Sequence, residues 1–258
     1  MVDAPPQQGN GPTTAQGSTA LPIFYRRPRP LNSEVDRGKS LLLAPDHGFA
    51  RGTNSLVLHG GEFRQAMRFY PIVFSVAEPV SAFAVVGLVD NENLFVGTDG
   101  RWASDAYIPA YVRRYPFILM EQPGSAELIV CFDEESSLVV ESAERPLFEA
   151  GQPTRLLQDA IGFCREFHAQ HAATTAFVRA LAAEGLLVRN EARIVLSSSR
   201  QMTLRGFDVV DEAKFDALPD EIFLDWRRRG WIHLVYCHLM SMGNFARMVD
   251  LAAKRGMS

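Results

Sequence analysis

Familiar catalytic signatures are missing from this chain: it has no G-x-S-x-G, no H-E-x-x-H, no C-x-x-C, no Walker phosphate loop and no G-x-G-x-x-G. Their absence removes the serine nucleophile elbow, the two-histidine zinc helix, the paired-cysteine zinc site and the glycine-rich cradles for nucleotide phosphates. Cysteine is scarce too. Cys131, Cys164 and Cys237 are far apart, odd in number and set among apolar residues. That pattern predicts free buried thiols in a reducing compartment, not a disulfide framework. No run of about 20 apolar residues occurs, so no membrane span is expected. Positive charge is in short supply: 26 lysines and arginines face 30 acids, a net charge of −4. A general nucleic-acid binder needs the opposite balance to displace counterions.

The opening stretch MVDAPPQQGNGPTTAQGSTALP has neither a basic n-region nor an apolar h-region, so it does not read as a signal peptide. Its Pro, Gly, Gln and Thr bury too little surface to offset ordering entropy. Residues 1–20 are therefore expected to form a disordered tail, and 21–258 one globular domain. The expected location is cytoplasmic, with the cell surface reachable only by a non-Sec route.

What is present is an ordinary globular composition, 47% hydrophobic and 22% charged over 258 residues. After a polar, proline-broken lead-in, PIFYRRPRPLNSEVDRGKS, come short β-like runs: SLVLHG, YPIVFSVAE and SAFAVVGLVD. DNEN between AVVGLV and LFVG reads as a hairpin loop, and PGS between FILMEQ and AELIVCF repeats the signal. The segment 55–140 is thus predicted to be mainly sheet, mixed or largely antiparallel. Beyond Gly151, Leu157, Ile161, Cys164, Phe167, His171, Thr174, Val178 and Leu181 fall on one helical stripe, with Pro153 in the first turn and Gly185 at the exit. Further strands are expected over about 190–210. PDEIFLDWRRRG carries Pro219 at the start, Asp220 and Glu221 in the first turn, Arg227 to Arg229 in the last, and Gly230 as a stop. The spacing of Ile232, Val235, Leu239, Met242, Phe245 and Val249 favours helix in the last segment, with a buried strand to about 239 as the alternative. The fold class is α+β.

Few constellations carry chemistry. FCREFHAQH sets Cys164, His168 and His171 along one helix face, a geometry that zinc accepts. They lie in the packing stripe with no partner pair elsewhere, so no metal is expected. CFDEESS, with Asp133, Glu134 and Glu135, lacks the alternating ligands of a calcium loop and reads as a solvated turn. LHGGEF reads only as a turn, and His233 and His238 point to different faces.

The stretch YIPAYVRRYPF remains. Pro109 suits a helical first turn, while Pro116 disfavours helix at Tyr115 and sends the chain into a strand. Tyr107, Tyr111 and Tyr115 are four apart, and Arg113 and Arg114 occupy the last turn. The structural reading is a short helix docking tyrosine rings on the sheet. The functional one makes Trp102, Tyr107, Tyr111, Arg113 and Arg114 candidate binding residues for an anionic ligand or peptide.

This cassette, within GRWASDAYIPAYVRRYPFIL, resembles the SapC-like family of bacterial proteins. So do YPIVF before it and GFDVVDEAKFDALPDEIFLDWRRRGWIHLVYCHLMSMGN after it, from about Leu41 to Leu251. Such proteins are loosely called surface-layer or peptide-transport associated, and the resemblance implies a link to envelope or nutrient-uptake functions. It supplies no catalytic residues. The leading expectation is a non-catalytic binding or accessory protein with an unknown small-molecule or protein partner, no cofactor, no nucleic acid and scope for homo-oligomers. One rival is an enzyme acting on an anionic small molecule or peptide, its site built from Trp102, Tyr111, Arg113 and Asp99 or Asp105. Another is a surface-layer structural protein.

Overall fold

The computed structural model describes residues 21–42, 46–77, 80–122, 127–197 and 200–255, the side chains of 193–202 excepted. The expected tail, 1–20, lies outside the described residues, as does the PGS turn. In chain order the strands are β1 (Pro28–Pro30), β2 (Lys39–Leu41), β3 (Ser55–Leu58), β4 (Ile72–Ser75), β5 (Ser81–Val85) and β6 (Phe117–Glu121). Then come β7 (Leu128–Asp133), β8 (Val139–Glu141), β9 (Phe148–Glu149), β10 (Gln152–Pro153), β11 (Leu187–Ser197) and β12 (Arg200–Val210). The helices are α1 (Phe63–Ala66), α2 (Ala110–Arg113), α3 (Arg155–Ala183), α4 (Glu212–Asp216), α5 (Asp220–Arg229), α6 (Ile232–Ser241) and α7 (Asn244–Lys254).

The fold is α+β with antiparallel sheets. One sheet runs β11-β12-β4-β5-β3, and a second runs β1-β7-β6. In the first, alternation sends Leu56, Leu58, Ile72, Phe74, Ala82 and Ala84 to one face, where all are fully buried. Helices cover that face: the Phe74 ring meets Phe177 of α3 edge-on at 6.1 Å and His238 of α6 at 4.7 Å.

The 29-residue α3 backs both sheets. Its C-terminal half buries Phe177, Val178 and Leu181 in the core of the first sheet. Its N-terminal half buries Leu157 and Cys164 against Phe117 and Phe132 of the second. The Thr154 side chain caps it, accepting from the Leu157 amide, and Gly185 at φ 65° ends it. Between the two sheets lies α2, whose chain leads through Pro116 directly into β6.

Pro109 and Pro219 sit at the N-cap of their helices, one residue before the expected first turn, and Pro153 belongs to β10. The last segment is helical, as favoured, from Ile232 to Ser241, but a break at Met242–Gly243 divides it into α6 and α7.

Two readings of the sequence are corrected. The DNEN hairpin does not form as a pair of strands: β5 ends at Val85, the Leu94 amide returns to the Val86 carbonyl at 2.8 Å without a ladder, and Val96 makes an isolated bridge to Trp102. Asn93 is the reason. It is fully buried, donating to the Ala50 carbonyl at 3.1 Å and accepting from the Phe95 amide at 2.9 Å, so the last residue of the loop turns inward while Asp90 and Asn91 stay exposed. Gly87 makes this closure feasible, since a Cβ there would fall 1.8 Å from the Glu92 carbonyl oxygen. The other correction concerns CFDEESS, where Asp133 is fully buried rather than solvated. Its carboxylate accepts from the Arg27 amide at 2.8 Å and the Tyr115 hydroxyl at 2.9 Å, which pulls the polar lead-in into the second sheet as β1.

Candidate functional site

Three stretches read separately in the sequence meet at one place: the cassette, the FCREFHAQH turn of α3, and LHGGEF. In LHGGEF, Gly60–Glu62 form a 3-10 turn that continues into α1. Gly60 donates its amide to the Thr174 hydroxyl of α3 at 2.8 Å, and a Cβ there would press on Leu234 at 3.1 Å. This close approach carries Glu62 into the interior, where it is only 2% exposed.

Glu62 organises the cassette. Its Oε1 accepts from the Tyr107 hydroxyl at 2.8 Å and the Ala110 amide at 2.5 Å. Its Oε2 accepts from the His59 amide at 3.4 Å and lies 3.3 Å from His59 Nε2. A buried carboxylate so surrounded is satisfied, and it fixes where α2 begins. The sequence reading missed it.

The five candidate residues are distributed as follows. Trp102 is buried and donates its indole N–H to the Tyr70 hydroxyl at 3.1 Å; that hydroxyl in turn donates to the Tyr107 carbonyl. Trp102 therefore supports the cassette from beneath. Tyr111 is 4% exposed, with its hydroxyl on the Ile23 carbonyl at 3.2 Å. Arg113 is exposed, donating Nε to the Ile108 carbonyl at 3.0 Å and Nη2 to the Tyr107 hydroxyl at 2.9 Å. Arg114 differs. Its Cζ lies 4.2 Å from the Tyr111 ring centroid, 4.3 Å from Phe167 and 5.8 Å from Tyr25. Its Nε is buried with no hydrogen-bond partner, and among the described residues it forms no ion pair.

Electrostatics around Arg114 follow from burial. Burial pushes the Cys164 thiol up to about 11 against the opposing pull of Arg114, so the thiol stays protonated. The ring of His171 stacks on Phe167 at 6.1 Å, and its pKa is lowered by burial, then by Arg114, His168 and His59. His59 is lowered too, by burial first, with Glu62 opposing. Tyr107 is raised to about 12, by burial and then by Glu62. At neutral pH these groups are uncharged beside one buried carboxylate and two arginines.

The acids paired with Trp102 in the enzymatic alternative stand elsewhere. Asp99 is exposed and accepts from the Arg101 amide at 3.0 Å, while exposed Asp105 pairs with Arg247 at 3.3 Å. Of the FCREFHAQH triplet, Cys164 is buried, His168 is exposed and His171 is half-buried. No three His, Cys, Asp or Glu side chains among the described residues are grouped to hold a metal ion. All three cysteines are free and buried. No described helix is long and apolar enough to cross a membrane.

Beside the cassette opens a cleft of about 550 Å³ walled by Phe24, Tyr25, Phe49 and Tyr115, with Arg26 and Glu135 at its rim. Phe49 and Tyr115 stack at 4.2 Å, and Phe24 is held at φ 82°, a left-handed conformation costly for an aromatic residue.

A family model, SapC, matches residues 31–248, most of the chain, and the chain belongs to that family. No curated protein and no solved structure matches it.

Proposed function

We propose that this SapC-family protein is a non-catalytic binding or accessory protein, linked to envelope or nutrient-uptake functions, that holds an anionic small molecule or peptide at the tyrosine–arginine cassette. The observation that carries this reading is Arg114, a half-buried cation among aromatic rings with no acid beside it. The surrounding polar groups are spent on positioning. Glu62 accepts from Tyr107, Ala110 and His59, and Cys164 is held as a neutral thiol, so neither is poised as base or nucleophile. What is left to do chemically is to attract charge. The three free, buried cysteines support a reducing compartment such as the cytoplasm.

Native mass spectrometry of the freshly purified full chain tests this. An anionic adduct, retained through desalting and returned unchanged after re-addition, is the expected result. Conversion of that compound to a product would establish an enzyme instead. Extended self-association with no adduct would favour a structural subunit.

A further inference from the structure

The cleft of about 550 Å³ beside the cassette is charged the opposite way from the cassette. Its lining holds two acids, Asp46 and Glu135, against one base, Arg26. All three are exposed, and among the described residues none of them forms an ion pair. The flanking bases are engaged elsewhere. Arg27 pairs with Glu134 at 3.2 Å, and Arg51 donates to the Gly97 and Thr98 carbonyls at 3.1 Å. Arg114 lies outside the lining, among the Tyr111 and Phe167 rings. Asp46 is held in place: its Oδ1 accepts from the Gly48 amide at 2.7 Å, and a Cβ on Gly100 would collide with that oxygen. Its Oδ2 makes no hydrogen bond among the described residues.

The same cleft is walled by the half-buried rings of Phe24, Phe49 and Tyr115. The left-handed backbone of Phe24 is tied on both sides. The Tyr25 amide returns to the Pro22 carbonyl at 3.1 Å, and the Ile23 carbonyl accepts from the Tyr111 hydroxyl at 3.2 Å. This costly conformation sets the Phe24 ring edge-on to Phe49 at 5.1 Å and to Tyr115 at 6.2 Å. Tyr115 donates its hydroxyl to Asp133 at 2.9 Å, and burial pushes its pKa up to about 12, so the wall is uncharged at neutral pH.

We propose that this cleft is a second binding site, for a primary ammonium taken by Asp46 and Glu135, with the ligand's apolar body on the Phe24, Phe49 and Tyr115 rings. The site is separate from the cassette and does not depend on an anion being bound there. Two acids against one base favour a cation over an anion. An ammonium brings three donors to carboxylates that have acceptors to spare. Aromatic rings take up an apolar body, and their quadrupole attracts a cation where it repels an anion. The volume suits a small molecule. Arg26 distinguishes the sources of such a group: an amino acid has a carboxylate for it, and a free amine has none.

The test is a titration of the full chain with benzylammonium and hexylammonium, with benzyl alcohol, hexanol, benzoate and hexanoate as controls of similar shape. Ring signals of Phe24, Phe49 and Tyr115, read by proton–carbon NMR on chain labelled in phenylalanine and tyrosine, locate the binding. At least one ammonium is expected to move those signals, while its alcohol and its carboxylate do not. Asp46→Asn and Glu135→Gln should each weaken that binding about threefold, and together about tenfold. Glu149→Gln, at an exposed acid outside the lining, should leave it unchanged. Phenylalanine binding more tightly than phenethylammonium assigns an amino acid; phenethylammonium binding as tightly or better assigns a free amine. Ring signals that no ammonium moves, an alcohol or carboxylate that binds as tightly as its ammonium, or an affinity that the double variant leaves unchanged would overturn the proposal. Should Asp46→Asn fail to fold, Glu135→Gln and the ammonium-against-alcohol comparison on the natural chain decide without it.

Discussion

His238 and Ile72, 166 residues apart, are joined by a hydrogen bond of 2.6 Å from the imidazole Nδ1 to the strand carbonyl. The other ring nitrogen, Nε2, accepts from the Val210 amide at 3.0 Å. The two bonds together require the neutral ring with its proton on Nδ1. One side chain of α6 thereby completes both β4 and β12, which share only the Asp208–Phe74 pairing. His238 is a joint between strands, and its chemistry is structural.

Acid should loosen this joint. Burial lowers the His238 pKa to about 4 from an ordinary 6.5. The neutral form is the folded form, so its contribution is intact above pH 6.5 and declines as pH falls toward 4. At about 1.4 kcal/mol per unit the total is about 3 to 4 kcal/mol. Urea midpoints at pH 7 and pH 5 check it against His238→Gln, which should be weaker at pH 7 but lose less on acidification. Parallel losses in both proteins would refute the assignment to His238.

Glu62 should matter more to stability than its place in a glycine turn suggests. Glu62→Ala strands the Tyr107 hydroxyl and the Ala110 and His59 amides, and should cost about 3 kcal/mol. Glu62→Gln keeps one acceptor oxygen and should cost less. Equilibrium denaturation gives the order directly, and equal midpoints for Gln and Ala would show that the carboxylate oxygens are not the organising contacts.

Asp133→Asn separates the lead-in from the second sheet. The natural carboxylate serves the Arg27 amide with one oxygen and the Tyr115 hydroxyl with the other. An amide can serve only one of them as acceptor, a loss of about 1 kcal/mol. Limited proteolysis should then cut near Arg26 and Arg27 sooner than in the natural chain, with the rest of the digestion pattern unchanged.

These residues also mark where local reading stops. The α5 signals were complete in themselves: acids in the first turn, three arginines in the last, and Gly230 at φ 71° as the stop. The apolar stripe of α3 was likewise written in its own spacing, and Leu157, Cys164, Phe167, Thr174, Val178 and Leu181 are all buried. Glu62 could not be found this way, because its partners Tyr107 and Ala110 lie 45 and 48 residues on. Asp133 was hidden for the same reason, with one donor 106 residues back. Asn93 shows the converse: the last residue of a polar loop that reads as solvated is drawn inward by the Ala50 carbonyl, a long-range partner. The difference between Arg113 and Arg114 is also tertiary, since Phe167 of α3 makes one side of the Arg114 seat.

The cassette itself yields the sharpest contrast in stability. Tyr111 is nearly fully buried, its ring 5.5 Å from Phe24 and 5.9 Å from Phe167, and under the Arg114 guanidinium. Tyr111→Ala opens a cavity at the junction of α2 and α3 and should cost about 3 kcal/mol. Arg113→Ala removes two bonds made at the surface, and should cost at most about 1 kcal/mol. Tyr107→Phe falls between, because it withdraws a donor from buried Glu62 and an acceptor from Arg113 together. The order Tyr111→Ala, Tyr107→Phe, Arg113→Ala should appear in urea midpoints measured with an unchanged denaturant slope. If Tyr111→Ala matched the natural chain within about 0.5 kcal/mol, the ring could not be holding the cassette against α3, and the seat of Arg114 would lose its structural basis.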